Sequence, residues 1–301
     1  MRRISILILL LLIFLFSCSK GEERSTGTVR ITAVDFPSYD AARAVVGSEE
    51  GISLLLPPGV ESHSYEPTPK DMIEISESDL VIFTGGDSDQ WVYHILSSLD
   101  KMPETYVLVD QVELCHEEHE EEDHHDHEFD EHVWTSPVNE IAIVDGLCRV
   151  LSELDPDNSV KYRENADAYI REIEILDKEF RALLEGKDRV MVFASRFPLV
   201  YFAEEYGVEY YAAFPGCAEE SEPSARTLAF LIDKIKSENL GYVFNIEFGS
   251  PRIASVIASE SGSEVRQFHT VHNLTAIEAA DKESYVSLMN RNLEVLKEVF
   301  R

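Results

Sequence analysis

"SVKYRENADAYIREIEILDKEFRALL", residues 159–184, places Tyr162, Ala166, Tyr169, Ile173, Leu176, Phe180 and Leu183 at spacings of three and four. One apolar stripe therefore runs the whole length of a 26-residue helical segment. The preceding "DPDN" (155–158) supplies turn and N-cap chemistry, and Gly186 lies just past the end. At ~1.5 Å per residue the helix spans about 39 Å, the width of a small domain. Such an element in mid-chain reads as a rigid strut between two lobes.

Strand and helix patterns alternate on both sides of it. Before it, "VRITAV" (29–34), "GISLLLPPG" (51–59), "LVIFTG" (80–85) and "TYVLVD" (105–110) are short apolar or β-branched runs closed by turn residues, with helical stretches at 39–46 and 137–154. After it, "RVMVFA" (189–194), "VEYYAAF" (208–214), "GYVFNIEF" (241–248) and "EVRQFH" (264–269) repeat the rhythm, with helices expected at 224–237, 251–261 and 282–300. This βα alternation specifies an α/β fold with mainly parallel sheets. The boundaries that follow are an N-terminal lobe over 28–155, a linking helix over 156–186 and a C-terminal lobe over 187–301.

Residues 1–17, MRRISILILLLLIFLFS, read as a secretory signal: two arginines, then an apolar run too short and wrongly flanked for a membrane span. Leu15-Phe16-Ser17-Cys18 resembles a bacterial lipoprotein box, which makes Cys18 the lipidated residue and 18–27 a polar tether at the envelope surface. The formal charge of the chain is −31, and loss of Arg2 and Arg3 with the signal makes it more negative. That balance excludes nucleic acid as a partner and attracts cations. Cys115, Cys148 and Cys217 remain, and the sequence does not select a disulfide among them.

In open parallel sheets ligands bind beyond the carboxyl ends of the strands. His63 lies there, in a loop stiffened by prolines at 57, 58, 67 and 69. So do Glu247, near the end of "VFNIEF", and His269, at the end of "VRQFH". His132 closes the acidic, histidine-rich run "CHEEHEEEDHHDHEFDEH" (115–132) but sits beside Phe129, Val133 and Trp134. His94 and His272 read first as surface or hydrogen-bonding histidines. The candidate metal set is therefore His63, His132, His269 and Glu247. Imidazole with carboxylate suits Zn2+, with Mn2+ as the near rival if oxygen donors predominate.

"GVESHSYEPTPKDM" (59–72), "TGGDSDQWV" (84–92), "DEHVWTSPVN" (130–139), "RFPLVYFAEEYGVEYYAAFPG" (196–216), "SARTLAFLIDKIK" (224–236) and "FHTVHNLT" (268–275) resemble the solute-binding proteins of zinc and manganese ABC importers, from about Val29 to the C-terminus. The resemblance implies two Rossmann-like lobes bridged by one long helix, a metal in the cleft between them, and delivery to an ABC permease and its ATPase subunit. By motif it carries His63 and His132 over as ligands from the first lobe. The second lobe departs from the pattern: Arg196 stands where many members have histidine, and His269 where many have aspartate. Arginine has no lone pair to donate, so either His269 compensates with Glu247 or water as fourth ligand, or Arg196 pairs with Glu247 and three ligands remain.

The remaining histidines of 115–128 are too irregular for one site. They read equally as a solvated charge run and as a low-affinity metal collector. A zinc enzyme is a competing class, but no HExxH motif is present and the expectation is a non-enzyme. A surface adhesin is a further alternative with no residue pointing to it. A monomer is expected.

Overall fold

A computed structural model describes residues 28–115, 129–214 and 223–300. The signal stretch 1–17, Cys18, the tether, the histidine-rich residues 116–128 and Cys217 lie outside the described residues.

Two four-stranded sheets carry the structure. β1 (Ile31–Ala33), β2 (Ile52–Leu54), β3 (Leu80–Phe83) and β4 (Glu104–Val107) lie in the order β2-β1-β3-β4. β5 (Val190–Phe193), β6 (Glu209–Ala212), β7 (Tyr242–Asn245) and β8 (Glu264–Gln267) lie in the order β6-β5-β7-β8. Every pairing is parallel, with Ile31 opposite both Ile52 and Leu80 in the first sheet and Phe193 opposite Phe244 in the second. The inner strands ITA and LVIF are wholly buried, which is why they are continuous apolar runs. The order turns back beside the first strand of each sheet, so a crevice opens at the carboxyl ends of β1 and β3 and again at β5 and β7.

The helices are α1 (Phe36–Val46), α2 (Pro69–Glu77), α3 (Gln90–Ser97), α4 (Pro137–Leu154), α5 (Ser159–Leu184), α6 (Val200–Tyr206), α7 (Ala225–Ser237), α8 (Pro251–Ser261), α9 (Ala276–Ala280) and α10 (Tyr285–Val299). α5 has the bounds its stripe predicts and buries Tyr162, Ala166, Ile173, Leu176, Phe180 and Leu184 against α4, α1 and α10. Among the described residues no helix is long and apolar enough to cross a membrane.

Local chemistry corrects several boundaries. α1 starts at Phe36 and not at 39, because Asp35 accepts from Ser38 N at 3.0 Å and Pro37 sits in the first turn. α10 starts at Tyr285 and not at 282, where Ser284 and Ser287 form a reciprocal cap and Lys282 has φ +57°. α2, α3, α6 and α9 were not expected. α2 is set by Thr68 and Asp71, a capping box in a segment whose prolines suggest only a stiff loop.

The main apolar core is continuous across both sheets. It holds Phe36, Leu80 and Leu147 beside the first sheet, Phe193, Phe244 and Phe268 beside the second, and Phe180 and Leu184 of α5 between them. Smaller cores cover the outer faces of each sheet. Cys115 and Cys148 are both free thiols.

Candidate metal centre

Three loops meet between the sheets. β2 leads through Pro57 and Pro58 to a single helical turn, Ser62–Ser64, that carries His63. The chain after β4 returns through Asp130 and Glu131 to His132, held at the entry of α4 by Val133 and Trp134, both fully buried. The chain after β8 reverses at Val271 and presents His272. Val271 is the pivot, with φ +62°, a left-handed conformation that a β-branched residue adopts only at a cost of about 1–3 kcal/mol.

One nitrogen each from His63, His132 and His272 lies within 4.8 Å of the others. The ring centroids are 5.1 to 5.5 Å apart, and Trp134 packs against His132 and His272. Each ring is oriented by a polar neighbour. His132 Nδ1 donates to Asp130 Oδ1 at 3.0 Å, which fixes the tautomer and puts the lone pair on Nε2. His63 Nδ1 lies 3.3 Å from Glu131 Oε1, while its Nε2 is buried without a hydrogen-bond partner. Glu131 is in turn held by Ser88, whose N–H donates to Oε2 at 3.3 Å and whose hydroxyl donates to Oε1. Gly86 makes room for it, since a Cβ there would sit 1.8 Å from Glu131 Oε2. His272 Nε2 lies 2.7 Å from Ser62 Oγ.

Electrostatics keep two of these rings neutral, His63 and His272. Burial, then His132 and Arg196, push the His63 pKa down to about 3. Burial, then His132, His63 and Arg196, hold His272 well below the ordinary imidazole value. Both are lone-pair donors at neutral pH. A buried, unpartnered His63 Nε2 facing two further imidazoles is what a divalent cation requires, so the residues fit a zinc-type ion.

The structure brings His63 and His132 together but places His269 and Glu247 elsewhere. His269 lies two residues beyond β8, where its N–H donates to Asn292 Oδ1 and its carbonyl accepts from Asn292 Nδ2, both at 2.7 Å. Those bonds hold its backbone, and its ring lies outside the three-histidine cluster. Its Nδ1 accepts from Val271 N at 2.9 Å, and its Nε2 faces Glu278 Oε2 at 3.4 Å. Burial opposes protonation there, yet Glu247 and Glu278 hold its pKa above the usual value. Glu247 accepts from Thr270 N at 2.9 Å and Thr270 Oγ1 at 2.6 Å, bracing the turn that carries His272. His272, expected as a surface or hydrogen-bonding residue, is the third ring of the cluster with His63 and His132, and His269 is not part of it. A signal for it exists: His63 and His132 both sit well beyond their strand ends, and the same rule applied to "FHTVHNLT" selects His272.

Arg196 follows β5 and is nearly buried, at 6% exposure. Its Nη2 donates to Glu61 Oε1 at 2.6 Å, so its partner is Glu61 and not Glu247. The same region ties the two halves of the chain together. Gly59 N donates to Leu274 O at 2.7 Å, Asn273 Nδ2 to Pro57 O and Val60 O at 2.8 Å each, and Trp134 Nε1 to Thr270 O at 3.0 Å.

Two parallel sheets joined by a long helix, with three imidazoles from both halves meeting between them, define a two-lobed α/β protein with a candidate metal site in the cleft. Residues 31–299 match the family described as zinc-uptake complex component A, periplasmic, and the chain belongs to that family. It is similar to the zinc-binding lipoprotein AdcA of Streptococcus pneumoniae serotype 4, 31% identical over 308 residues, covering 99% of this chain and 61% of the relative. The chain thus spans about three-fifths of that relative's length. It is 30% identical over 291 residues to the high-affinity zinc uptake system protein ZnuA of Bacillus subtilis strain 168, covering 94% of this chain and 91% of the relative. The solved Zn(II)-bound ZnuA-like domain of the S. pneumoniae AdcA superposes with a TM-score of 0.77 at 29% identity, over 91% of this chain and 99% of that one.

Proposed function

We propose that this chain is the extracytoplasmic receptor of an ABC importer, which captures Zn2+ between its two sheets and hands it to the permease and its ATPase subunit. Residues 28–155 and 187–301 act as the two lobes, 156–186 as the link, and a lipid on Cys18 ties the monomer to the envelope. The observation that carries the reading is the trio His63, His132 and His272, drawn from both halves and converging within ligand reach, with His63 and His272 held neutral at pH 7. Three imidazoles favour zinc over manganese, which prefers oxygen donors. The names of the relatives, zinc-binding lipoprotein and zinc uptake protein, support the same cargo.

The test is a competition titration of the chelator-stripped chain with zinc. One tight equivalent is expected, removed by His63→Ala and by His132→Ala. A tight equivalent that survives both changes overturns the assignment. Cys18→Ala is expected to release the protein from the membrane fraction.

A further inference from the structure

His63 and His272 are already neutral, so a metal displaces no proton from them, yet a divalent cation brings two positive charges into a buried cleft. A buried acid nearby that still carries its proton can offset part of that charge by ionising. A cavity at the carboxyl ends of β1 and β3 has such acids in its wall. Its volume is about 10 Å³, room for roughly one water, and it is lined by Asp35, Asp89, Thr84, Ser62, Ser88 and His272 among others. Ser62 Oγ is the hydroxyl that lies 2.7 Å from His272 Nε2, so this wall backs directly onto the trio.

Asp35 follows β1, Asp89 precedes α3, and both are buried. Asp35 accepts from Ser38 N at 3.0 Å and from Thr84 Oγ1 at 2.5 Å, donors that suit an ionised carboxylate. Asp89 Oδ2 accepts from Gly85 N at 2.9 Å. Burial, then the charge of Asp35, hold Asp89 well above the ordinary carboxylate range, and Glu131 adds to this. Burial lifts Asp35 as well, against the pull of Ser38 and Thr84. The two act as a pair that keeps one proton, which the donors on Asp35 place on Asp89. The other titratable groups facing them are Glu131, Glu140 of α4, Tyr93 of α3, Tyr65 and His272. Glu131 is held by Ser88, Tyr65 donates to Asp71 at 2.8 Å, and His272 is neutral, so none of these supplies a cation that would drive the proton off. The carboxylates in ion-pair reach of His63 and His132 are Glu131 and Asp130, and the Asp35–Asp89 pair stands behind the cavity.

We propose that metal capture is coupled to the loss of one proton, given up by the Asp35–Asp89 pair as the divalent cation enters the cleft. The inference rests on the metal-capture reading above. In this step the O–H bond of Asp89 breaks, its electron pair stays on the carboxylate, and the proton leaves by the cavity and the Ser62 hydroxyl for the cleft and solvent. The new carboxylate is a negative charge in a dry wall, where its attraction for the cation is screened less than at the surface. Linkage is reciprocal, so refilling the pair with a proton weakens the hold on the metal.

The experiment titrates the chelator-stripped full chain with Zn2+ by calorimetry at pH 7 in two buffers of different ionisation enthalpy, which counts the protons released at the tight equivalent. The parent is expected to release about one. Asp89→Asn keeps an oxygen for Gly85 N and imitates the protonated acid. It is expected to release almost none and to bind zinc about tenfold more weakly. Asp35→Asn removes the charge that lifts Asp89 and is expected to lower the count as well. Glu140→Gln neutralises the other raised acid of the region and is expected to keep the parent's count. Melts in chelator establish that each variant is folded, and a merely structural role would change affinity while leaving the count alone. Three results overturn the proposal: a parent that binds zinc without releasing a proton, a count unchanged in both aspartate variants, or a count lost in Glu140→Gln. A parent that binds no zinc sinks the receptor reading as well, so the two failures are told apart.

Discussion

Replacing His272 and His269 separately distinguishes the three-histidine centre from the arrangement the sequence suggests. Structural zinc sites bind with about 10–16 kcal/mol shared over four ligands, so one ligand contributes roughly 2.5–4 kcal/mol. At 1.4 kcal/mol per factor of ten, His272→Ala is expected to weaken zinc about 100- to 1000-fold. His269→Leu removes a ring that is 1% exposed and leaves Val271 N and Glu278 short of a partner, although Arg291 still reaches Glu278 at 2.6 Å. The cost is about 1–3 kcal/mol of stability, lowering Tm by roughly 2–10 °C, with zinc affinity changed less than about tenfold. Competition titration at pH 7 measures the first quantity, and thermal melts in chelator measure the second. The reasoning is refuted if His269→Leu loses zinc as far as His272→Ala does, or if His272→Ala stays within threefold of the parent.

His63 is expected to add no proton competition of its own to zinc binding between pH 7.5 and about pH 5, because burial, His132 and Arg196 push its value down to about 3, whereas an ordinary imidazole begins to compete below about pH 6.5. Titrations across that range decide it. Removing residues 116–128 is expected to leave one tight zinc equivalent and the melting temperature in place, since the trio lies outside that segment; loss of the tight equivalent would return the segment to the role of principal site. Glu140 is fully buried, neither carboxylate oxygen has a partner, and burial, then Asp40 and Asp35, hold its pKa well above the usual range. Its stabilising contribution is present below the unfolded pKa of about 4.3 and is lost as pH rises towards the raised folded value. Glu140→Gln is therefore expected to raise Tm at pH 8 more than at pH 5, and an equal shift at both would contradict the assignment.

The architecture was legible where one physical rule operates over many residues. The stripe from Tyr162 to Leu183 fixes α5 to its end residues, and the buried strands announce themselves as unbroken apolar runs. Short helices were harder to see. α2 depends on a two-residue cap, Thr68 with Asp71, that competes for attention with four prolines nearby. Of the candidate cluster, His63 and His132 could be named from their loops and motifs, whereas which of His269 and His272 joins them turns on a chain reversal at Val271. No propensity rule places a β-branched residue at φ +62°, so the reversal and the ring it redirects were hidden. Arg196 was recognisable as a non-ligand, but its partner was not, because Glu61 and Arg196 are 135 residues apart in the chain.

The continuous core and the ties at Gly59, Asn273 and Trp134 also bear on motion. Halves that share an apolar core along a rigid helix do not swing apart cheaply, so an empty and a loaded molecule are expected to have nearly the same outline. Within that frame the short turn 269–274 is wound against its own backbone preference at Val271, so a local rearrangement there would relieve strain that the two sheets do not carry. A change confined to that turn would reposition the His272 ring while the two sheets and the long helix keep their places.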